Sequence, residues 1–358
     1  MELIFLDEQT LNVLDHAICT EDYELILDSL VPQKSKFTIY KDGLNAKMGD
    51  LLLVRENSYF YIGIITSIKK EDNGSTKVET KDYLSIFDVE VPLPTSFNGN
   101  ISNFLIARIN ETFKSSGDSY QNISYLSLES EVLKQATLSY DANTKMNLLD
   151  LVEEFAKTYG IRLVYEMVLN GGVFHQIKVK VVEAKIGIVI KSDLGPISNL
   201  VINDTNENSL NKVVFIPNND NRTYTRRITY YLYTDGTIST TNNLSKRNPK
   251  VKFKYEHFSD SDYPNLLTKA TKLLIDDSLN HSITFNFSFL TNKIESLNNL
   301  KIGTFVQFVT DEKVYETLVT KIKYKGTFSL AEVTLGEYRG SLTDKLKLID
   351  RRKWYGLN

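Results

Sequence analysis

The chain has 358 residues, with 42 Lys and Arg against 45 Asp and Glu, a formal net charge of −3, one Cys and four His. That length suits two or three domains with cores of ordinary size, and 42% hydrophobic with 24% charged residues is a globular composition. A single cysteine excludes a disulfide framework and multi-cysteine metal sites, and the near-neutral balance argues against a surface dedicated to sequence-specific nucleic-acid recognition.

The first residues, Met1 to Asp7, place Glu2 where a secretion signal needs a basic region. The best apolar run, Ile186 to Ile190, is flanked by Lys185 and Lys191 and is far too short to span a bilayer. The expectation is synthesis in the cytoplasm of the producing cell, with no membrane anchor.

Strand signals follow. Leu51–Val54 and Phe60–Ile65 are short apolar runs bounded by polar turns, and Lys77–Thr80 and Ile86–Val91 continue the series after the turn Asp72-Asn73-Gly74-Ser75. Pro92 and Pro94 mark a domain edge near 95. The period then becomes helical: Phe104, Leu105, Arg108, Ile109 and Phe113 share a face, and Gly117 ends the run. A second helix is capped by Asn147, buries Leu148, Leu149, Val152, Phe155, Ala156 and Tyr159, and closes at Gly160. The strands Ile161–Val168 and Val173–Val182 are joined through Asn170-Gly171-Gly172, and Tyr224–Tyr233 and Thr237–Thr241 through Asp235-Gly236. Pro264 opens a helix with the stripe Leu266, Leu267, Ala270, Leu273 and Leu274. Ser282 to Phe289 alternates strictly, so its Ile/Phe face is buried. The fold class is α+β, mainly antiparallel β, with no βαβ rhythm of a nucleotide-binding sheet.

The two ends of the chain resemble each other. Lys47-Met48-Gly49-Asp50-Leu51-Leu52-Leu53-Val54 aligns with Lys301-Ile302-Gly303-Thr304-Phe305-Val306-Gln307-Phe308 at an offset of 254, and the same offset carries Tyr61 onto Tyr315, Thr66 onto Thr320 and Ile68 onto Ile322. Each copy reads as a glycine-initiated strand, a polar turn and a return strand. Two amphipathic hairpins can align this well by chance; the sharper reading is two copies of one small β-barrel around an α+β insertion. Two such copies per chain would let three chains close a ring of six similar units.

These features resemble the tail-hub, or baseplate-hub, family of tailed phages and related injection machines, including the N-terminal hub region of siphophage tail-associated lysins. The residues that carry the likeness are Met48–Val54 with the return Ile62–Ile68, the helix 147–159 followed by a strand, and the C-terminal Lys301-Ile302-Gly303-Thr304 hairpin whose return leads into Glu332-Val333-Thr334-Leu335-Gly336. The resemblance implies two similar small β-barrels bracketing α+β domains: 1–95 as the first barrel, 96–200 as an α+β domain completed by 225–280, 201–224 with 281–338 as the second barrel, and 339–358 as a tail. It implies a virion tail-tip protein, a homotrimer forming a pseudo-hexameric ring on the path of DNA. Its partners would be a distal tail protein or tail-tube ring, the tape-measure protein, and tail-tip or receptor-binding proteins. Set against the larger tail-associated lysins, a sequence that stops at Asn358 leads to the expectation that this chain carries no appended peptidase.

Catalytic signatures are scarce, and no cofactor or enzymatic activity is expected. The acids Glu21-Asp22-Tyr23-Glu24, Glu153-Glu154 and Asp276-Asp277 read as solvated surface; as paired carboxylates, they would support the alternative of a carbohydrate-directed tail-tip hydrolase or binding module. His175 and His281 lack companions at ligand spacing, and Cys19 reads as a small buried side chain. Arg226-Arg227 among Tyr224, Tyr230, Tyr231 and Tyr233 reads as cations covering packed rings. Arg351, Arg352, Trp354 and Tyr355 read as an interface anchor. A bacterial α+β assembly protein with no viral role is a third reading.

Overall fold

A computed structural model describes residues 1–336, except 20–21, 29–32, 42, 57–58, 141, 184–185, 205–209, 235–236, 248–252, 276–280, 289–299 and 327–329. It divides into two units, residues 1–200 with 284–358 and residues 201–283.

The first seven strands are β1 (Glu2–Leu6), β2 (Val13–Ile18), β3 (Tyr23–Asp28), β4 (Lys34–Tyr40), β5 (Leu51–Glu56), β6 (Tyr59–Lys70) and β7 (Ser75–Asp82). The α+β region follows with β8 (Glu90–Pro92), β9 (Ser96–Asn100), α1 (Ile101–Phe113), β10 (Leu126–Ser130), β11 (Gln135–Ser139), β12 (Lys145–Asn147), α2 (Leu148–Tyr159), β13 (Ile161–Asn170) and β14 (Val173–Glu183). Next come β15 (Ile186–Lys191), β16 (Ile197–Asp204), β17 (Lys212–Pro217), β18 (Ile228–Leu232), β19 (Ile238–Ser239), β20 (Phe253–Phe258) and α3 (Leu266–Ile275). The chain returns through β21 (His281–Ser288), β22 (Phe305–Val309), β23 (Val314–Lys325) and β24 (Leu330–Gly336).

Mainly antiparallel β is the result, with parallel pairs at β10–β14, β15–β22 and β17–β20. Among the described residues thirteen strands form one sheet in the order β16-β21-β24-β23-β3-β4-β7-β6-β5-β1-β2, with β22 beside β23 and β15 beside β22. The N- and C-terminal strand sets meet where β3 pairs with β23. Among the described residues no pairing closes either set into a barrel.

Local signals act as their chemistry dictates. The Asn147 side chain accepts the Leu149 amide at 2.9 Å, and Gly160 ends α2 at φ 62°. The alternation in β21 is kept residue by residue, with Ile283, Phe285 and Phe287 fully buried. Helix α1 stops at Phe113, ahead of Gly117, because Lys114 already leaves helical geometry. In α3, Leu266, Ala270 and Leu274 are buried but Leu267 is 53% exposed, so the stripe is narrower than its leucines suggest.

One apolar cluster joins Ile4, Leu53 and Ile62 of the first strands to Ile101, Phe104, Phe155 and Ile177 of the α+β region. Residues 1–95 and 96–200 therefore share a core across the proline-marked edge. Residues 201–283 stand as their own unit: β17 pairs with β18 and β20, and Val213, Phe215 and Phe258 pack with Leu266, Ala270 and Leu274 of α3. The structure thus keeps 201–224 together with 225–280, which the sequence reading assigns to different domains.

Candidate functional site

The turns at Lys47–Asp50 and Lys301–Thr304 open their hairpins with the same hydrogen bonds. The Gly49 amide donates to the Ile65 carbonyl at 2.9 Å, and the Gly303 amide to Val319 at 2.7 Å. Asp50 N bonds Lys47 O as Thr304 N bonds Lys301 O, and Ile65 N bonds Asp50 O as Val319 N bonds Thr304 O. Every donor and acceptor is displaced by the offset of 254.

The register follows. Leu51 lies opposite Ile64 as Phe305 lies opposite Leu318, and Val54 opposite Tyr61 as Phe308 opposite Tyr315. Both return strands then bulge at the equivalent residue: between Ile65 and Ser67 in β6, and between Val319 and Lys321 in β23. The bulged residues are Thr66 and Thr320. Each donates from Oγ1 to the carbonyl of the next strand, to Glu79 and to Thr334, at 3.2 Å in both cases. A bulge leaves a ladder group unpaired, and a threonine hydroxyl replaces the missing bond.

Both glycines are required by their backbone. Gly49 has φ +98° and Gly303 φ +74°. A Cβ on Gly49 would stand 2.7 Å from Glu8 Oε2, and on Gly303 2.6 Å from Arg162 Cδ. The surroundings differ otherwise. Asp50 is fully buried and accepts the Lys47 amide at 2.8 Å, an aspartate for which the second copy has Thr304. Tyr61 is fully buried with its hydroxyl 3.0 Å from Thr80 Oγ1, whereas Tyr315 is 8% exposed and carries Lys313 Nζ 4.5 Å above its ring. Ile322 is buried; Ile68 is half-buried.

Two long-range contacts carry no local sequence signal. Tyr165 of β13 donates its hydroxyl to Asp82 Oδ2 at 2.8 Å, and Arg162 Nη1 donates to the Ile302 carbonyl beside Gly303. Burial holds the Asp82 carboxyl up at about 6, against the opposing pull of the Leu84 amide and the Tyr165 hydroxyl. Burial likewise pulls the Arg162 guanidinium down from its ordinary value.

Elsewhere, Cys19 is fully buried, its Sγ 3.2 Å from the Thr38 carbonyl, and burial raises its thiol. Such a thiol is not a poised nucleophile. His175 is exposed and His281 buried at the start of β21. Among the described residues no three His, Cys, Asp or Glu side chains gather as a metal site. Glu24 pairs with Lys323 at 3.0 Å, while Glu21, Asp276, Asp277 and the side chains of Glu153 and Glu154 lie outside the described residues. Arg226 and Arg227 are exposed. The cations over the rings are others: Arg247 lies 4.4 Å from the Tyr231 centroid and Lys246 5.8 Å from that of Tyr233. Arg351, Arg352, Trp354 and Tyr355 also lie outside the described residues.

No family model and no curated protein matches the chain. Solved structures do. A prophage tail protein, gp18, from Listeria monocytogenes superposes with a TM-score of 0.58 at 11% identity, covering 98% of this chain and 99% of that one. A tail protein from Neisseria meningitidis gives 0.55 at 14% identity over 94% and 97%, and a chain of the p2 virion baseplate in its activated conformation gives 0.53 at 12% identity over 95% and 100%. At such identities the likeness is one of fold, and it runs the full length of these chains. The resemblance read from the glycine hairpins and the α+β insertion is therefore present in the coordinates: the chain has the fold of phage tail and baseplate-hub proteins.

Proposed function

We propose that the chain is a structural tail-hub protein of a tailed phage or prophage, acting as part of the virion tail tip rather than as an enzyme. Three copies form a ring in which six glycine-initiated hairpins present near-sixfold geometry to a distal tail protein or tail-tube ring, while the assembly keeps threefold symmetry toward tail-tip or receptor-binding proteins. Its lumen lies on the path of DNA and tape-measure protein and opens by rearrangement of subunit contacts.

The observation that carries this reading is the duplicated hairpin, identical in turn hydrogen bonds, register and bulge position across an offset of 254 residues. Closed cyclic assembly is the ordinary outcome for identical subunits with head-to-tail contacts, and an internal duplication doubles the apparent order of the ring. Mass photometry of the purified chain is expected to give three times the 40.9 kDa protomer mass, with a central hole by negative stain. A monomer at micromolar concentration overturns the reading.

A further inference from the structure

Helix α3 covers one face of the sheet β19-β18-β17-β20, packing on Val213, Phe215 and Phe258. Side chains alternate along a strand, so the residues between these point to the other face. The ladders set them in rows. Lys212 lies between Tyr231 of β18 and Phe253 of β20, Val214 between Thr229 and Tyr255, and Ile216 beside His257. Phe253 is 49% and Tyr255 53% exposed, their ring centroids 5.3 Å apart, and His257 is exposed next to them.

Cations accompany these rings. Lys212 Nζ stands 5.1 Å from the Phe253 centroid, and Arg247 lies over Tyr231 while its Nη1 donates to Asn242 Oδ1. The charge of the chain is segregated here. Residues 212–257 hold nine Lys and Arg against three Asp and Glu, a net +6, whereas the rest of the chain holds 33 against 42, a net −9. None of the rows contains a carboxylate. Glu256 alternates to the α3 side and pairs with Lys254 at 2.5 Å, and Asp220 sits in the turn beyond β17.

We propose that this face binds an unpaired nucleic-acid strand without reading its sequence, with bases stacked on Phe253 and Tyr255 and phosphates against Lys212 and Arg247. Exposed rings on a sheet stack bases whatever their identity, and neighbouring cations take the phosphates. A near-neutral total charge is no obstacle when the basic residues are gathered in one segment. A neutral sugar would need carboxylates or amides for its hydroxyls, which the rows lack. An acidic peptide would satisfy the cations but leave the two exposed rings without a flat partner. A duplex keeps its base faces stacked inside, so the site disfavours it. Binding needs one copy of the chain and stands apart from the ring.

Fluorescence anisotropy of the full chain with a labelled oligothymidylate of about 20 bases tests this. Binding is expected at micromolar chain in low salt, at least tenfold tighter than to a duplex of the same length. Tyr255→Ala and Phe253→Ala, both at exposed positions, are each expected to weaken it roughly tenfold. Lys212→Gln and Arg247→Gln are each expected to flatten the slope of log affinity against log salt by about 0.7. Lys269→Gln, on α3, is expected to change neither. Absence of binding at about 100 μM chain overturns the proposal. So does equal affinity for the duplex, or an oligothymidylate affinity that the two ring variants leave unchanged while a polyglutamate peptide competes for the site, since either outcome means that charge alone is recognised.

Discussion

The Tyr165 hydroxyl donates to Asp82 Oδ2 at 2.8 Å across 83 residues of chain, while Asp82 Oδ1 accepts the Leu84 amide at 2.9 Å. Asp82 ends β7 and its carboxyl is buried, so it binds a proton more tightly in the folded chain, near 6, than at its ordinary value of 3.8. Between these two values the folded state holds more protons than the unfolded state, and this group's contribution to stability falls as pH rises. The contribution is fully present below 3.8 and lost above 6. The gap corresponds to roughly 3 kcal/mol at most. Asp82→Asn removes the titration, so its melting temperature relative to wild type is expected to be higher at pH 7.5 than at pH 4. Thermal melts at the two pH values check this; a difference that does not change with pH contradicts it.

Tyr165→Phe deletes only the donor. A hydrogen bond to an ionised carboxylate contributes about 1.5–3 kcal/mol, and one between neutral groups about half that. Urea unfolding is therefore expected to show a larger loss at pH 7.5, where Asp82 is ionised, than at pH 4. Equal losses would mean that the hydroxyl supports packing rather than charge.

These two residues also show where the sequence falls silent. Asn147, Gly160 and the alternation of β21 are legible because each acts on backbone within a few residues. The glycine hairpins are legible because the duplication repeats their local chemistry. Asp82 with Tyr165, and Arg162 with the Ile302 carbonyl, meet across 83 and 140 residues through tertiary folding, and nothing near either member announces the other. The β3–β23 joint is hidden for the same reason. The ring stacking around Tyr231 and Tyr233 is foreseen in kind but not in residue: Arg247 and Lys246 supply the charge, while Arg226 and Arg227 face outward.

Gly49→Ala and Gly303→Ala separate backbone equivalence from environment. A left-handed alanine costs about 1 kcal/mol or more at either position. Their neighbours differ. At Gly49 the new methyl meets the end of the flexible Glu8 side chain. At Gly303 it meets Cδ of Arg162, a half-buried side chain whose guanidinium is tied to the Ile302 carbonyl. Gly303→Ala is expected to lose more stability in urea titrations, and Arg162→Ala to narrow the difference. If Gly49→Ala is the more damaging, the contact geometry does not govern the cost.

Thr66→Val and Thr320→Val test the bulge. Each removes an Oγ1 donor from a carbonyl at 3.2 Å and keeps the side-chain shape. Thr320 is 5% exposed beneath the β3–β23 joint, so water cannot readily replace the lost bond, and a loss of about 1 kcal/mol is expected. Thr66 is half-buried, and water can reach the Glu79 carbonyl, so its loss is smaller in an isolated chain. Urea titrations of the two variants are therefore expected to show the larger loss for Thr320→Val. A Thr66→Val loss equal to that of Thr320→Val would show that burial does not set the strength of the bulge hydrogen bond.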